Sequence, residues 1–176
     1  MTERIIIAGS GGQGIMLLGK VLAEAAMQED KFVSFLPSYG AEVRGGTCHC
    51  AVVISNKEIG SPYVDKADTL IIMNSPSLLK FKNRIKKNGL LLINSSLASK
   101  SNSKNTLILQ YPFTDIAVKL GNIKVANMVA LGCFITEKNI LGLESVLEAI
   151  SDIAPEEKKN LIEINQKALK EGAKLK

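Results

Sequence analysis

The N-terminal third of the chain constrains the fold most. Arg4 to Ala8 carries an unbroken Ile5-Ile6-Ile7 run, Gly9-Ser10-Gly11-Gly12-Gln13-Gly14 follows at once, and a mostly apolar segment runs from about Ile15 to Gln28. A short apolar run closed by glycines reads as a buried strand. In the segment after it only Lys20, Glu24 and Gln28 are strongly polar, each four residues from the next. As a helix, that segment has one narrow wet stripe and is otherwise buried. Strand, tight turn and buried helix open a sheet that helices cover.

The alternation continues. Phe32 to Leu36 reads as a second strand, stopped by Pro37, and Thr47 to Ser55 as a third. Asn56-Lys57 is a turn, and Gly60-Ser61-Pro62 breaks the chain again. Leu70 to Met73 is a buried strand. Ser75 is then expected to cap a helix with Pro76 at its first position, ending by Asn88-Gly89. Leu90 to Ile93 and Thr106 to Gln110 are strands separated by a polar surface loop from Ser95 to Asn105. Tyr111-Pro112 ends the second of these, and Thr114 is expected to cap a short helix. Val125 to Thr136 is apolar on every side if helical, so it belongs either in a deep core or at a subunit interface. Leu143 to Ile150 is amphipathic. Pro155 to Leu169 reads as a long terminal helix whose Glu156-Glu157 suits the helix dipole. No internal repeat or linker divides the chain. The expectation is one domain over residues 1–176 of class α/β: three layers, with a mostly parallel sheet and helices on both faces.

Composition narrows the function. A chain of 176 residues buries roughly 70% of its unfolded surface, so its core needs no disulfide or metal staple. Lys and Arg number 22 against 17 Asp and Glu, but the only arginines are Arg4, Arg44 and Arg84 and there is no Trp. Nucleic-acid binders cluster Arg and expose aromatics for stacking, so the excess lysine reads as a solvated face and no nucleic-acid partner is expected. Cys48, Cys50 and Cys133 are too few and odd in number for a disulfide framework. The N-terminus shows no signal-peptide pattern, and no apolar run approaches the ~18 residues that span a bilayer. A cytoplasmic protein without membrane contact is expected.

Gly9, Gly11 and Gly14 fit G-x-G-x-x-G between a strand and a helix. Such glycines either bring backbone N–H groups to a phosphate or let the helix pack tightly on the sheet. A dinucleotide site also needs an acid at the end of the second strand, where this chain has Pro37-Ser38. Glu29 and Asp30 precede that strand, on the wrong side, which disfavours a nicotinamide. The loop Ser38 to Gly46 follows a strand end, where open α/β sheets hold ligands. Ser38, Tyr39, Gly40, Glu42, Arg44, Gly45 and Gly46 supply hydroxyls, charge and close backbone approach, either for binding or docking or as a surface loop with a local ion pair. Cys48-His49-Cys50 resembles a metal motif, but on a strand the cysteines face one side and His49 the other. A cubane iron–sulfur cluster needs four cysteines. Cys133 lies in an apolar helix and behaves as a small hydrophobe. His49 lacks a nucleophile partner and no carboxylate pair stands out, so no catalytic residue and no metal ligand is assigned.

Taken together the motifs become specific. Ile7 to Gly14, Pro37 to Thr47, and Ala67-Asp68 leading into Leu70-Ile71-Ile72-Met73-Asn74 resemble the gamma subunit of 2-oxoacid:ferredoxin oxidoreductases. Gly121-Asn122, Asn127 to Gly132, and Asn165 with Ala168-Leu169 and Gly172 extend the resemblance over nearly the whole chain. Arg44-Gly45-Gly46-Thr47-Cys48 is most similar to the 2-oxoglutarate type, with the branched-chain type next, while Ala41 and Cys48-His49 depart locally from the pattern. The resemblance implies a fold like domain III of pyruvate:ferredoxin oxidoreductase. It also implies a complex that decarboxylates a 2-oxoacid, forms acyl-coenzyme A and reduces ferredoxin. Alpha, beta and delta subunits would be the partners. Thiamine diphosphate, magnesium and an iron–sulfur cluster would be carried by other chains, and coenzyme A would be shared. Its implied contacts here are Gly9, Gly11, Gly12, Gln13 and Gly14, the loop residues Ser38, Tyr39, Gly40, Glu42, Arg44, Gly45 and Gly46, and Asn74. On that view the lone chain is inactive and self-associates through uncovered apolar surface. The alternatives are a stand-alone enzyme for a nucleotide or phosphate, or an assembly module with no ligand.

Overall fold

A computed structural model describes residues 1–38, 47–102 and 105–175. Strand β1 (Thr2–Ser10) leads through the glycine turn into α1 (Ile15–Gln28). Strands β2 (Phe32–Ser38), β3 (Thr47–Ser55) and β4 (Ala67–Ile72) precede α2 (Ser75–Phe81). Strand β4 thus ends at Ile72, and β5 (Ile85–Asn94) and β6 (Leu107–Tyr111) complete the sheet. The remaining helices follow in sequence: α3 (Phe113–Lys119), α4 (Ala126–Lys138), α5 (Leu143–Asp152) and α6 (Ile162–Ala173).

The sheet order is β2-β3-β1-β4-β5-β6. β1, β4, β5 and β6 pair in parallel, and β3 runs antiparallel between β1 and β2. Every strand but β3 therefore ends at one edge of the sheet. Ser10 pairs with Thr47 and Ser38 with His49 there, so the flanks of the Tyr39–Gly46 segment lie beside the end of β1. Tyr39, Gly40, Glu42, Arg44, Gly45 and Gly46 themselves lie outside the described residues.

Strand periodicity splits the core in two. Ile5, Ile7, Val52, Ile54, Ile71 and Leu92 face a large core shared with α1, α3, α4, α5 and α6. Ile6, Ala8, Val53, Leu70, Ile72 and Leu91 face a smaller one closed by Leu78 and Phe81 of α2 and by Val64 and Ala98. The expected three-layer α/β architecture is present, with helices on both faces but very unevenly shared. The all-apolar segment belongs to the core: every residue from Ala126 to Ile135 is buried in α4. Helix α6 lies directly on α4, where a Cβ added to Gly172 would stand 1.9 Å from the Val129 carbonyl oxygen, and one added to Gly132 would stand 2.0 Å from that of Leu169.

Several local expectations need correction. β2 continues through Pro37 to Ser38, because an edge strand tolerates a residue without an N–H. Asn74, not Ser75, caps α2: its side chain accepts from the Ser77 N–H, and Ser75 is already helical. That helix stops at Phe81 rather than at Asn88-Gly89, and β5 begins at Ile85. The lysine-rich 82–87 segment has no apolar helical stripe to bury. Asn88 instead takes φ 62°, and the β4–β5 register shifts between Ala67 and Thr69. Thr114 caps nothing: it is buried inside α3, bonded to Asn94. The terminal segment is a 3₁₀ turn, Glu156–Leu161, before α6.

Candidate functional site

The glycine turn divides into glycines that allow packing and glycines that face out. Gly9 is the last glycine inside β1. A Cβ there would meet Gln13 Oε1 at 2.6 Å, Ile15 Cδ1 at 2.7 Å and Met73 Cβ at 3.0 Å. Its missing side chain lets Gln13 fold back over the strand end. Gln13 Oε1 accepts from the Ser10 N–H at 2.7 Å, and Gln13 Nε2 donates to the Met73 carbonyl at 3.3 Å. Gly14 caps α1 with φ 70°, a left-handed conformation that costs other residues about 1–2 kcal/mol. The Asn127 side chain occupies the space a Cβ would fill there, and its Nδ2 donates to the Gly14 carbonyl at 3.0 Å. Gly11 and Gly12 are exposed, and nothing lies within 4 Å of a Cβ built on Gly12, whose φ is 91°. Among the described residues their amide N–H groups meet no acceptor, so they face outward at the head of α1. Gly9 and Gly14 thus serve packing, while Gly11 and Gly12 stand exposed.

Neutral amides close the rest of this edge. Asn74 Nδ2 donates to Ser10 Oγ at 2.5 Å while its Oδ1 caps α2, so both ends of the side chain are engaged. Asn94 Nδ2 donates to the Met73 carbonyl at 3.2 Å and to Thr114 Oγ1 at 2.9 Å. The sequence points to Gln13 and Asn74 as contacts and to Thr114 only as a helix cap, does not single out Asn94, and shows Asn127 only within a motif. The available signal was one polar residue in an otherwise apolar run: Asn94 after Leu90-Leu91-Leu92-Ile93, and Asn127 inside α4. The fully buried amides carry the same meaning, since a buried polar group needs a partner.

Other candidates fall elsewhere. Glu29 lies at the far end of α1, bonded to Lys31 Nζ at 2.9 Å and to the Gly142 N–H at 2.6 Å. Burial alone would raise its carboxyl pKa, but Lys31, Gly142 and Ser145 outweigh that and hold it below the usual value. Cys48 and Cys50 do turn to the α1 face, where Cys50 Sγ meets the Ile15 carbonyl at 3.6 Å. His49 turns to the other face and lies 4.7 Å from the Phe81 ring, centroid to centroid. Burial pushes the Cys50 and Cys133 thiols up to about 12 and raises that of Cys48. Among the described residues no three His, Cys, Asp or Glu side chains converge on a common ion. The outward N–H groups of the turn suit a phosphate or a carbonyl oxygen.

Comparison with known proteins places this geometry. Residues 4–175 match the family model described as pyruvate ferredoxin/flavodoxin oxidoreductase. The chain is 40% identical over 172 residues to the ketoisovalerate oxidoreductase subunit VorA of Methanothermobacter marburgensis, covering 97% of this chain but 36% of that one. The chain thus spans about a third of the length of that relative. It is 38% identical over 170 residues to the 2-oxoglutarate synthase subunit KorC of Methanocaldococcus jannaschii, covering 92% of this chain and 90% of that one. A solved gamma subunit of a keto/oxoacid ferredoxin oxidoreductase from Geobacter sulfurreducens superposes with a TM-score of 0.83 at 30% identity, over 97% of this chain and 95% of that one. With its fold, its glycine turn and these matches, the chain belongs to the pyruvate ferredoxin/flavodoxin oxidoreductase family.

Proposed function

We propose that this chain is the gamma subunit of a multi-chain 2-oxoacid:ferredoxin oxidoreductase. The complex would oxidatively decarboxylate a 2-oxoacid to an acyl-coenzyme A and pass the electrons to ferredoxin. Alpha, beta and delta subunits would carry thiamine diphosphate, magnesium and the iron–sulfur cluster. Within the complex this chain frames the coenzyme A side of the active site with the Gly9–Gly14 turn and the Ser38–Gly46 segment, whose flanking Ser38 and Thr47 belong to strands at the same edge of the sheet. Coenzyme A, when bound, supplies the thiol that accepts the acyl group. This chain's part is to hold and orient it through backbone N–H groups.

One observation carries the reading. The turn is built and braced by Gln13 and Asn127, its outward N–H groups meet no acceptor among the described residues, and the braces around it are neutral amides and hydroxyls. An anion-holding edge without an acid–base group suits a subunit that positions a ligand for chemistry done by others. The relative named for 2-oxoglutarate is matched over 90% of its length, which supports 2-oxoglutarate as substrate, and the relative named for ketoisovalerate supports the branched-chain type second.

Affinity isolation of the tagged chain from its native extract tests the proposal. The expected result is co-purifying chains that bear thiamine diphosphate and a cluster, with coenzyme A-dependent oxidation of 2-oxoglutarate faster than of ketoisovalerate. The lone chain should be colourless and inactive. Turnover by the purified chain alone would overturn the reading.

A further inference from the structure

The thinly covered face of the sheet holds a pocket that the reading above touches only at Ser38. It has a volume of about 230 Å³, and its walls include Ile6 and Ala51 from the sheet, Ser38, His49, Tyr63 and Arg84. The glycine turn leads into α1 on the opposite, helix-rich face, and Ser38 is the one candidate residue that the two places share. A water molecule takes roughly 30 Å³ of liquid, so the pocket has room for an ion with part of its hydration shell.

Its electrostatics are one-sided. Arg84 Nε donates to the Asp65 carbonyl at 2.9 Å, and Arg84 Nη2 donates to the Val64 carbonyl. Both partners are neutral, and a guanidinium has five N–H donors, so charge and donors remain. The Arg84 guanidinium carbon and Lys80 Nζ each lie 5.7 Å from the centre of the Phe81 ring, against which His49 packs. Lys80, Arg84 and His49 thus surround one aromatic ring, and burial with those two cations depresses the His49 pKa. Among the described residues no carboxylate pairs with any of them. Asp68 is engaged by Arg4 and Lys86. Asp65 meets Arg84 through its backbone carbonyl, and Cys48 and Cys50 belong to the other face. The ring face offsets the repulsion only in part.

We propose that this pocket is an oxyanion site, seating a phosphate or carboxylate group between Arg84 and His49. Ser38 and Tyr63 supply neutral hydroxyl donors, and Lys80, beside the same Phe81 ring as His49, adds charge nearby. A bound oxyanion neutralises a cluster that no carboxylate among the described residues compensates, and its hydrogen bonds to charged donors are of the stronger kind. Because the anion favours protonated His49, binding and protonation reinforce one another.

His49 is the only histidine of the chain, so its ring reports without ambiguity. The experiment is an NMR titration of the full chain, ¹⁵N-labelled at histidine, with sodium phosphate, sodium acetate or sodium chloride at matched ionic strength. The expected result is a saturable His49 shift and a raised His49 pKa with an oxyanion and neither with chloride. A response to phosphate alone assigns a phosphoryl ligand, and equal responses to phosphate and acetate assign the broader carboxylate-tolerant class. Arg84→Gln should weaken binding about tenfold or more, as loss of a charge-assisted contact does, and Lys80→Gln about two- to fivefold, as an exposed charge does. Equal responses to chloride and to both oxyanions overturn the proposal, as does an Arg84→Gln chain that titrates like the wild type. Should Arg84→Gln fail to fold, Lys80→Gln decides, and unchanged affinity in that variant overturns the site.

Discussion

Replacing Gly172 with Ala tests the most tightly packed contact in the fold. The added Cβ would lie 1.9 Å from the Val129 carbonyl oxygen, 2.7 Å from its carbon and 3.0 Å from its Cα. All three atoms are backbone, so no side chain can swing aside. Ordinary contact begins at 3.4 Å, and 3.4 − 1.9 leaves 1.5 Å by which α6 and α4 must part. Helix α4 has nowhere to go, because its residues from Ala126 to Ile135 are buried all round. A radial gap of even ~1 Å forfeits a quarter to a half of each dispersion contact it opens. Overpacking of this kind costs about 1–3 kcal/mol, and a backbone obstacle puts it near the top of that range. Better helix propensity of Ala returns about 1 kcal/mol. The net loss is about 2 kcal/mol, or a Tm about 4–8 °C lower for a chain of this size. Thermal melting followed by circular dichroism, at one fixed protein concentration, reads it. Gly60→Ala is the control: nothing lies within 4 Å of a Cβ there, so its change should stay within about 0.5 kcal/mol. A Gly172→Ala chain as stable as the wild type, or more stable, would refute the close approach of α6 to α4.

Three further outcomes follow from other parts of the structure. Gly14→Ala in the assembled complex should weaken coenzyme A binding about tenfold, through its left-handed φ and its encounter with Asn127 Nδ2, and unchanged affinity by calorimetry would remove the turn from the site. In the folded chain at pH 8, iodoacetamide should label Cys48 first, because thiols at about 12 leave Cys50 and Cys133 only ~10⁻⁴ thiolate; mass mapping that finds Cys50 modified as fast would contradict their burial. His49 is depressed by burial and by Lys80 and Arg84, so the unfolded chain binds its proton first; stability should be complete above about pH 6.5 and fall as the pH drops through the folded pKa, and denaturant titrations in chloride should show that decline flattened by His49→Asn.

Much of this fold is legible in the sequence because its strongest signals are local. Strand β1, the turn and α1 follow from the Ile run, the glycines and one polar stripe, and the opposed faces of Cys48-His49-Cys50 follow from the two-residue period of a strand. What escapes depends on partners distant in sequence. Asn74 and Ser75 are both good capping residues, and the cap goes to the one whose Nδ2 also reaches Ser10. The bulge at Asn88 answers to Asn105, whose carbonyl accepts the Asn88 N–H at 2.7 Å, and to the tight space around Gly89. The candidate site divides the same way. The glycines mark the turn, but which of them pack and which face outward depends on Met73 and Asn127, brought to the turn only by the fold.

The choice of amides at the carboxyl edge is itself informative. Ser10, Gln13, Asn74, Asn94, Thr114 and Asn127 brace the ends of β1, β4 and β5 without a single ionisable group. A carboxylate in the same places would accept hydrogen bonds but could not donate them, and Gln13, Asn74 and Asn94 each do both. A carboxylate would also set a negative charge beside N–H groups that face an incoming anion, cancelling their field. The neutral scaffold keeps the turn rigid and its field intact across the physiological pH range. On the proposed function, such an edge would hold an anion steadily and leave proton and electron transfer to groups on other chains.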